Sequence, residues 1–215
     1  MKRTFLALFL TCVVTQAATI SFSSLVGTGN QSDEWIVTST GGVALSSGIV
    51  SAGYFNTLSG SGITSASYAA LVADFTALTS DDFVQYSSSI SSNSQPIAGV
   101  TGDFVDLGTY SGSNRTLYVL VGNGSTFGNS TQFALLNSNQ TLIADSSSPD
   151  TNDFFFRDTT VLKGTVGTGS FNGSTVGLSN PQSATTLKLV AVPEPAAALL
   201  GAVGMVGLLR RRRTA

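Results

Sequence analysis

Short runs of apolar and β-branched residues recur along the middle of the chain, and Ser, Gly, Thr and Asn separate them. The run at 117–121, Leu-Tyr-Val-Leu-Val, is uninterrupted, which is typical of a strand buried on both faces. Turn-forming pairs such as Gly41-Gly42 and Asn123-Gly124 lie between the runs. The pattern predicts strands at 19–22, 34–38, 43–45, 48–55, 104–107, 116–121, 132–136, 153–157, 159–165 and 187–192.

One segment departs from the strand pattern. Its apolar residues follow a helical spacing, at Tyr68, Leu71, Val72, Phe75 and Leu78. We predict one amphipathic helix near 66–78, capped by Thr64 or Ser65 and packed across a sheet or an end of the domain. The alternative is an exposed helix that binds a partner. Together the elements predict an all-β or mainly β chain, an antiparallel β-sandwich or jelly-roll-like single domain at 18–191.

The N-terminus has a basic start, a short apolar run at 5–14 and small residues after it. This order predicts a secretory signal peptide at 1–17 that signal peptidase cuts after Ala17. Cleavage after Ala18 is the close alternative. Acylation of Cys12 would make a lipoprotein, but the residues before Cys12 match a lipobox poorly. The body of the chain is therefore expected outside the cytoplasm.

The C-terminus has three elements in order: Pro193-Glu194-Pro195, an apolar stretch at 196–209 and four arginines. As a helix the stretch would span about 21 Å, which is short of the roughly 30 Å hydrocarbon core. Arginine side chains extend such a span by snorkelling, and they stay on the cytoplasmic side. We therefore expect a membrane helix at 196–209 and a cytoplasmic stop at Arg210, Arg211, Arg212 and Arg213.

These three elements at 192–215, with the motif at 192–195, resemble the PEP-CTERM sorting signal. The resemblance implies that an exosortase, a membrane protease, recognises Pro193, Glu194 and Pro195 and cuts near them. It implies a transient inner-membrane anchor at 196–209, followed by release to the cell surface or the medium. PEP-CTERM proteins are associated with exopolysaccharide and biofilm, so the resemblance also implies exopolysaccharide as a partner.

Charge and composition narrow the function further. Charged residues make up only 10% of the chain, against about 25% in a typical soluble protein. Six of the ten basic residues lie at the two ends, so the body is acidic and nucleic-acid binding is excluded. The chain has no histidine, and its one cysteine, Cys12, lies in the predicted signal peptide. The commonest general base, disulfides and cysteine metal sites are thus excluded from the mature chain.

The remaining candidates for chemistry are carboxylates and aromatic rings. Paired aspartates are the one route left to a hydrolase, at Asp81, Asp82, Asp103, Asp106, Asp150 and Asp153. A calcium site at Asp145, Asp150, Asn152 and Asp153 is weighed against a solvated loop, which we favour. A platform that stacks against sugars is one interpretation of the aromatic residues Trp35, Tyr54, Tyr86 and Tyr110. Core packing is the other, and we favour it.

We expect an exported protein of the cell envelope or extracellular matrix, with a structural or interaction role and no catalytic residues, metal or cofactor. A carbohydrate-binding surface module is the main alternative, and a secreted hydrolase that uses paired aspartates is the third.

Overall fold

The computed structural model describes residues 18–24, 35–79, 81–82, 102–107, 112–143, 151–171 and 182–193. These residues form mainly β structure, as predicted, with two short α-helices, α1 (Ser61–Ser65) and α2 (Tyr68–Asp74). The strands are β1 (Thr19–Ser23), β2 (Trp35–Thr38), β3 (Ile49–Phe55), β4 (Phe75–Ala77), β5 (Asp81–Asp82), β6 (Gly102–Asp106), β7 (Arg115–Gly122), β8 (Gln132–Leu142), β9 (Thr151–Phe155), β10 (Thr160–Lys163), β11 (Thr165–Phe171), β12 (Gln182–Lys188) and β13 (Val190–Ala191).

The largest sheet has seven strands in the order β10-β8-β7-β3-β4, with β13 also paired to β8 and β5 to β3. All of its pairs are antiparallel. Two three-stranded sheets, β6-β1-β9 and β11-β12-β2, each contain one parallel pair, β1 with β9 and β12 with β2. These partners lie far apart in sequence, so no hairpin turn fixes their direction. The predicted antiparallel arrangement therefore holds for most pairs but not for these two.

Strand β7 is buried on both faces, which confirms the prediction for 117–121. Leu117, Val119 and Val121 belong to a first core, together with residues of β1, β2, β3, β8, β9 and β12. Leu120 belongs to a second core with Phe55, Tyr68 and other residues of the helical side. One face of the large sheet is thus covered by the two small sheets and the other by the helices. This layering is consistent with a β-sandwich.

The predicted helix at 66–78 is wrong in its extent. Ala66 is extended between α1 and α2, and Ser67 accepts the capping hydrogen bond from Ala70 N, a role predicted for Thr64 or Ser65. Phe75 is also extended and begins β4, where it lies opposite Phe55 with ring centroids 5.4 Å apart. Pairing with β3 therefore ends the helix four residues early. The predicted packing across a sheet is seen, because Leu71 of α2 is fully buried in the second core.

Several strand boundaries also differ from the prediction. The segment 43–45 forms only a single bridge, between Ala44 and Thr38. Strand β8 continues to Leu142 through a register shift that contains Asn139, whose φ is 60°. The segment predicted at 159–165 divides at Gly164, where φ is 114°, into β10 and β11. Residues 156–158 form a 3-10 turn after β9, and the last predicted strand is two strands, β12 and β13.

Among the described residues, no helix has the length and apolar character needed to cross a membrane. The predicted span at 196–209 lies outside them, as do Glu194, Pro195, Ala17 and the four arginines.

Candidate functional site

The predicted sorting motif begins directly where the sheet ends. Strand β13 pairs with β8, with Val190 opposite Phe133 and Ala191 opposite Gln132. Val192 N then donates to Thr131 O at 2.8 Å, and the Val192 side chain packs against the second core. Pro193 follows and is exposed. Because proline has no N–H, Pro193 cannot donate a further backbone hydrogen bond to the ladder.

A hydrogen-bonded loop at 123–131 holds Thr131, the residue to which Val192 is bonded. Asn123 Oδ1 accepts from Thr131 N and Gln132 N, each at 2.9 Å. Gly124 N donates to Ser130 Oγ at 3.0 Å, and Ser130 Oγ donates to Thr126 O at 2.8 Å. The residue to which Val192 is bonded is therefore fixed by side chains of the loop itself. The sequence marked Asn123-Gly124 only as a turn.

Helix α2 is connected to the same loop. The Tyr68 hydroxyl donates to Phe127 O at 2.8 Å, and its ring lies 4.4 Å from the Phe133 ring, centroid to centroid. Burial raises the pKa of Tyr68, although a hydrogen bond with Ser130 acts in the opposite direction. The hydroxyl is thus held neutral as a donor. Strand β13 with Val192, the 123–131 loop and the helices form one packed end of the domain.

The predicted first residue of the mature chain, Ala18, is also held within the fold. Ala18 is 5% exposed and lies in the first core, and its carbonyl accepts from Leu107 N at 2.8 Å. Thr19 begins β1, the central strand of its sheet, opposite Asp106 on one side and Thr151 on the other. Cleavage after Ala17 would keep Ala18 in these contacts, whereas cleavage after Ala18 would remove them.

Of the aromatic residues considered for a sugar platform, the two that the structure describes, Trp35 and Tyr54, do not share an open surface. Trp35 is 9% exposed and packs in the first core. Tyr54 is half-buried, and the Arg115 guanidinium lies 5.2 Å from the centre of its ring. Tyr86 and Tyr110 lie outside the described residues. The interpretation of Trp35 as a core residue is therefore the one the structure supports.

The candidate acidic residues are spread over several strands. Asn152 is buried and the next residue, Asp153, is exposed on the same strand, β9, so they face opposite sides. Asp81 and Asp82 form β5 beside β3, whereas Asp103 and Asp106 lie in β6 of another sheet. Asp145 and Asp150 fall outside the described residues. In the part of the chain that the structure describes, no three His, Cys, Asp or Glu residues are grouped as metal ligands would be.

One carboxylate that the sequence did not single out has a dense set of partners. Asp74, the last residue of α2, accepts from Thr57 N at 3.0 Å, Leu58 N at 2.8 Å and Thr57 Oγ1 at 2.7 Å. Desolvation acts to raise the pKa of Asp74, but these hydrogen bonds outweigh it and lower the pKa. An aspartate at a helix C-terminus opposes the helix dipole, which is the one sequence signal that could have marked it. The arrangement ties α2 to the loop after β3.

No family model, no curated protein and no solved structure matches the chain. Its function is therefore inferred from its own residues and their placement.

Proposed function

We propose that this chain is an exported protein of the cell envelope or extracellular matrix, sorted through a PEP-CTERM signal, with a structural or interaction role linked to exopolysaccharide. The observation that carries the proposal is the order Pro-Glu-Pro, apolar stretch and arginine cluster at 193–213, directly after a β domain that a predicted signal peptide precedes. Signal peptidase and an exosortase-type membrane protease are the processing partners.

The end of the fold supports this proposal. Among the described residues, Val192 makes the last backbone hydrogen bond after β13, and Pro193 is exposed immediately after it. The prolines before and after Glu194 disfavour a helix and favour an extended backbone. A protease cleft accepts an extended, unpaired backbone. The motif thus starts at the first residue that a protease could reach without unfolding the sheet.

The body of the domain supports a structural or interaction role over sugar binding or hydrolysis. Trp35 is buried in the first core, and Arg115 lies over the Tyr54 ring. The described aspartates of the hydrolase hypothesis lie on β5, β6 and β9, which belong to two different sheets. A domain with few charged and many hydroxyl side chains is well suited to display in a hydrated polysaccharide matrix.

The test is the intact mass of the mature protein from cells that export it. We expect an N-terminus at Ala18 and a C-terminus near 193–195. Glu194→Gln should leave a larger product in the membrane fraction, because the motif has lost its one charge. Glu34→Gln, which changes the only other glutamate of the chain, is the matched control and should be processed normally.

A wild-type protein that keeps residues 196–215 in the membrane would refute sorting and leave a permanent anchor. Equal processing of Glu194→Gln and wild type would refute recognition through the motif.

A further inference from the structure

Strand β11 is exposed on both faces. Of its residues with a described environment, Thr165, Val166, Gly167, Thr168 and Ser170 are exposed and Gly169 is half-buried. Val166 has 51% of its surface open to solvent. The strand is paired with β12 along all seven residues, and none of the other described strands pairs with it. In the part of the chain that the structure describes, its outer edge therefore presents a row of backbone donors and acceptors about 24 Å long.

The other edges of the sheets are either charged or short. Strand β6 contains Asp103 and Asp106, β9 contains Asp153, and β10 contains Lys163. The uncharged edges β2, β4 and β13 have only four, three and two residues. Charges and shortness are the usual means by which proteins prevent edge-to-edge pairing. Strand β11, with the sequence TVGTGSF, has seven residues and neither protection.

The sequence of β11 is self-complementary about Thr168. In an antiparallel pair centred there, Thr168 lies opposite its own copy, Gly167 opposite Gly169, and Val166 opposite Ser170. Opposed threonines are a favourable cross-strand pair, and strand glycines permit close backbone approach. Charge does not oppose the contact, because β11 is uncharged and Lys188 lies on β12, opposite Thr165. In the antiparallel pair Lys188 would be offset from the partner's Lys188 by about 20 Å along the strands and by about 14 Å across them, beyond the Debye length.

We propose that β11 is a docking edge for a second copy of this chain, giving a two-fold antiparallel dimer centred on Thr168. The β11-β12-β2 sheets of the two copies join into one continuous six-stranded sheet across the contact. Backbone hydrogen bonds supply the attraction, as in other cases of strand addition. The inference does not depend on the sorting proposal, since it concerns the folded domain alone.

Cysteine cross-linking of the full-length chain tests the contact. All variants carry Cys12→Ser, so that an introduced thiol is the chain's single cysteine. Opposed Cα atoms in antiparallel strands are within the range that a disulfide needs. Under mild oxidation, Thr168→Cys should give a covalent dimer on a non-reducing gel. The matched control is Thr116→Cys on β7, also an exposed strand threonine; its dimer yield should be lower by about tenfold because the site lies away from the two-fold axis.

A mixture experiment tests the register. Val166→Cys protein mixed with Ser170→Cys protein should cross-link, whereas each alone should remain largely monomeric. Cross-linking of Thr168→Cys no greater than that of Thr116→Cys would overturn the proposal. A monomeric Thr168→Cys whose thiol resists alkylation would also overturn it, because the edge would then be covered by the chain itself.

Discussion

Strands β7 and β11 are of similar length, eight and seven residues, but they are held in place by different forces. Leu117, Val119, Leu120 and Val121 of β7 are fully buried, on two faces of the central sheet. Thr165, Val166, Thr168 and Ser170 of β11 are exposed, and the strand is fixed by its antiparallel ladder with β12. Removal of apolar surface from water stabilises the first strand, and backbone hydrogen bonds stabilise the second. A strand can therefore be regular without contributing to the core.

The largest expected difference between the two strands concerns the loss of apolar side-chain volume. Leu120→Ala in β7 should lower the free energy of unfolding by about 3 kcal/mol, because it leaves a cavity in the second core. Val166→Ala in β11 should change it by less than about 0.5 kcal/mol, since Val166 is already half exposed. Urea denaturation measures both values. Similar losses for the two variants would mean that β11 is packed against apolar surface after all.

This difference also explains which parts of the fold could be predicted from the sequence. The apolar run at 117–121 identifies β7, because burial on two faces leaves a direct trace in residue type. Strand β11 leaves no such trace, and its Gly-, Ser- and Thr-rich sequence is typical of a loop. The end of α2 was missed for another reason. Phe75 fits the helical spacing after Leu71, but pairing with Phe55, twenty residues away, overrides it.

The candidate site shows the same division. The sorting tail can be read from the sequence because it is a linear motif whose residues are recognised in order. Its junction with the fold cannot, since the hydrogen bond between Val192 and Thr131 joins residues that are distant in sequence. The burial of Trp35 was favoured from the sequence, but its parallel neighbour on β12, Thr185, was not predicted.

A glycine in each strand provides a second, smaller test of the comparison. A Cβ on Gly122 of β7 would lie 2.3 Å from Ser130 Oγ, so Gly122→Ala must displace the Ser130 hydroxyl, which bonds Gly124 N and Thr126 O of the 123–131 loop. We expect a loss of about 1–3 kcal/mol in the free energy of unfolding. On β11 a Cβ at Gly167 would meet nothing nearer than Thr186 Oγ1 at 3.4 Å. Gly167→Ala should be neutral or stabilising by about 0.5 kcal/mol, because it restricts the unfolded chain.

Thermal denaturation of the two glycine variants gives the comparison directly. If Gly122→Ala unfolds at the wild-type temperature, the loop at 123–131 moves freely and does not fix the strand to which Val192 is bonded.

The smallest expected change in the free energy of unfolding concerns Asp74, whose carboxylate accepts hydrogen bonds near the surface. Hydrogen bonds from Thr57, Leu58 and Asn56 lower the pKa of Asp74 in the folded protein despite its partial desolvation. A lowered folded-state pKa stabilises the fold at pH values above the unfolded pKa, and this stabilisation is lost as the pH falls through the folded value. Wild type should therefore be more stable than Asp74→Asn by a constant amount above about pH 5, and the difference should shrink toward pH 2. Thr57→Val, which removes the hydroxyl donor but keeps the backbone N–H, should reduce the pH-dependent part without abolishing it.

Urea denaturation of the three proteins between pH 7 and 2 measures these differences. A gap between wild type and Asp74→Asn that stays constant over the whole range would show that the Asp74 charge contributes nothing, and that neutral hydrogen bonds hold this surface as they hold β11.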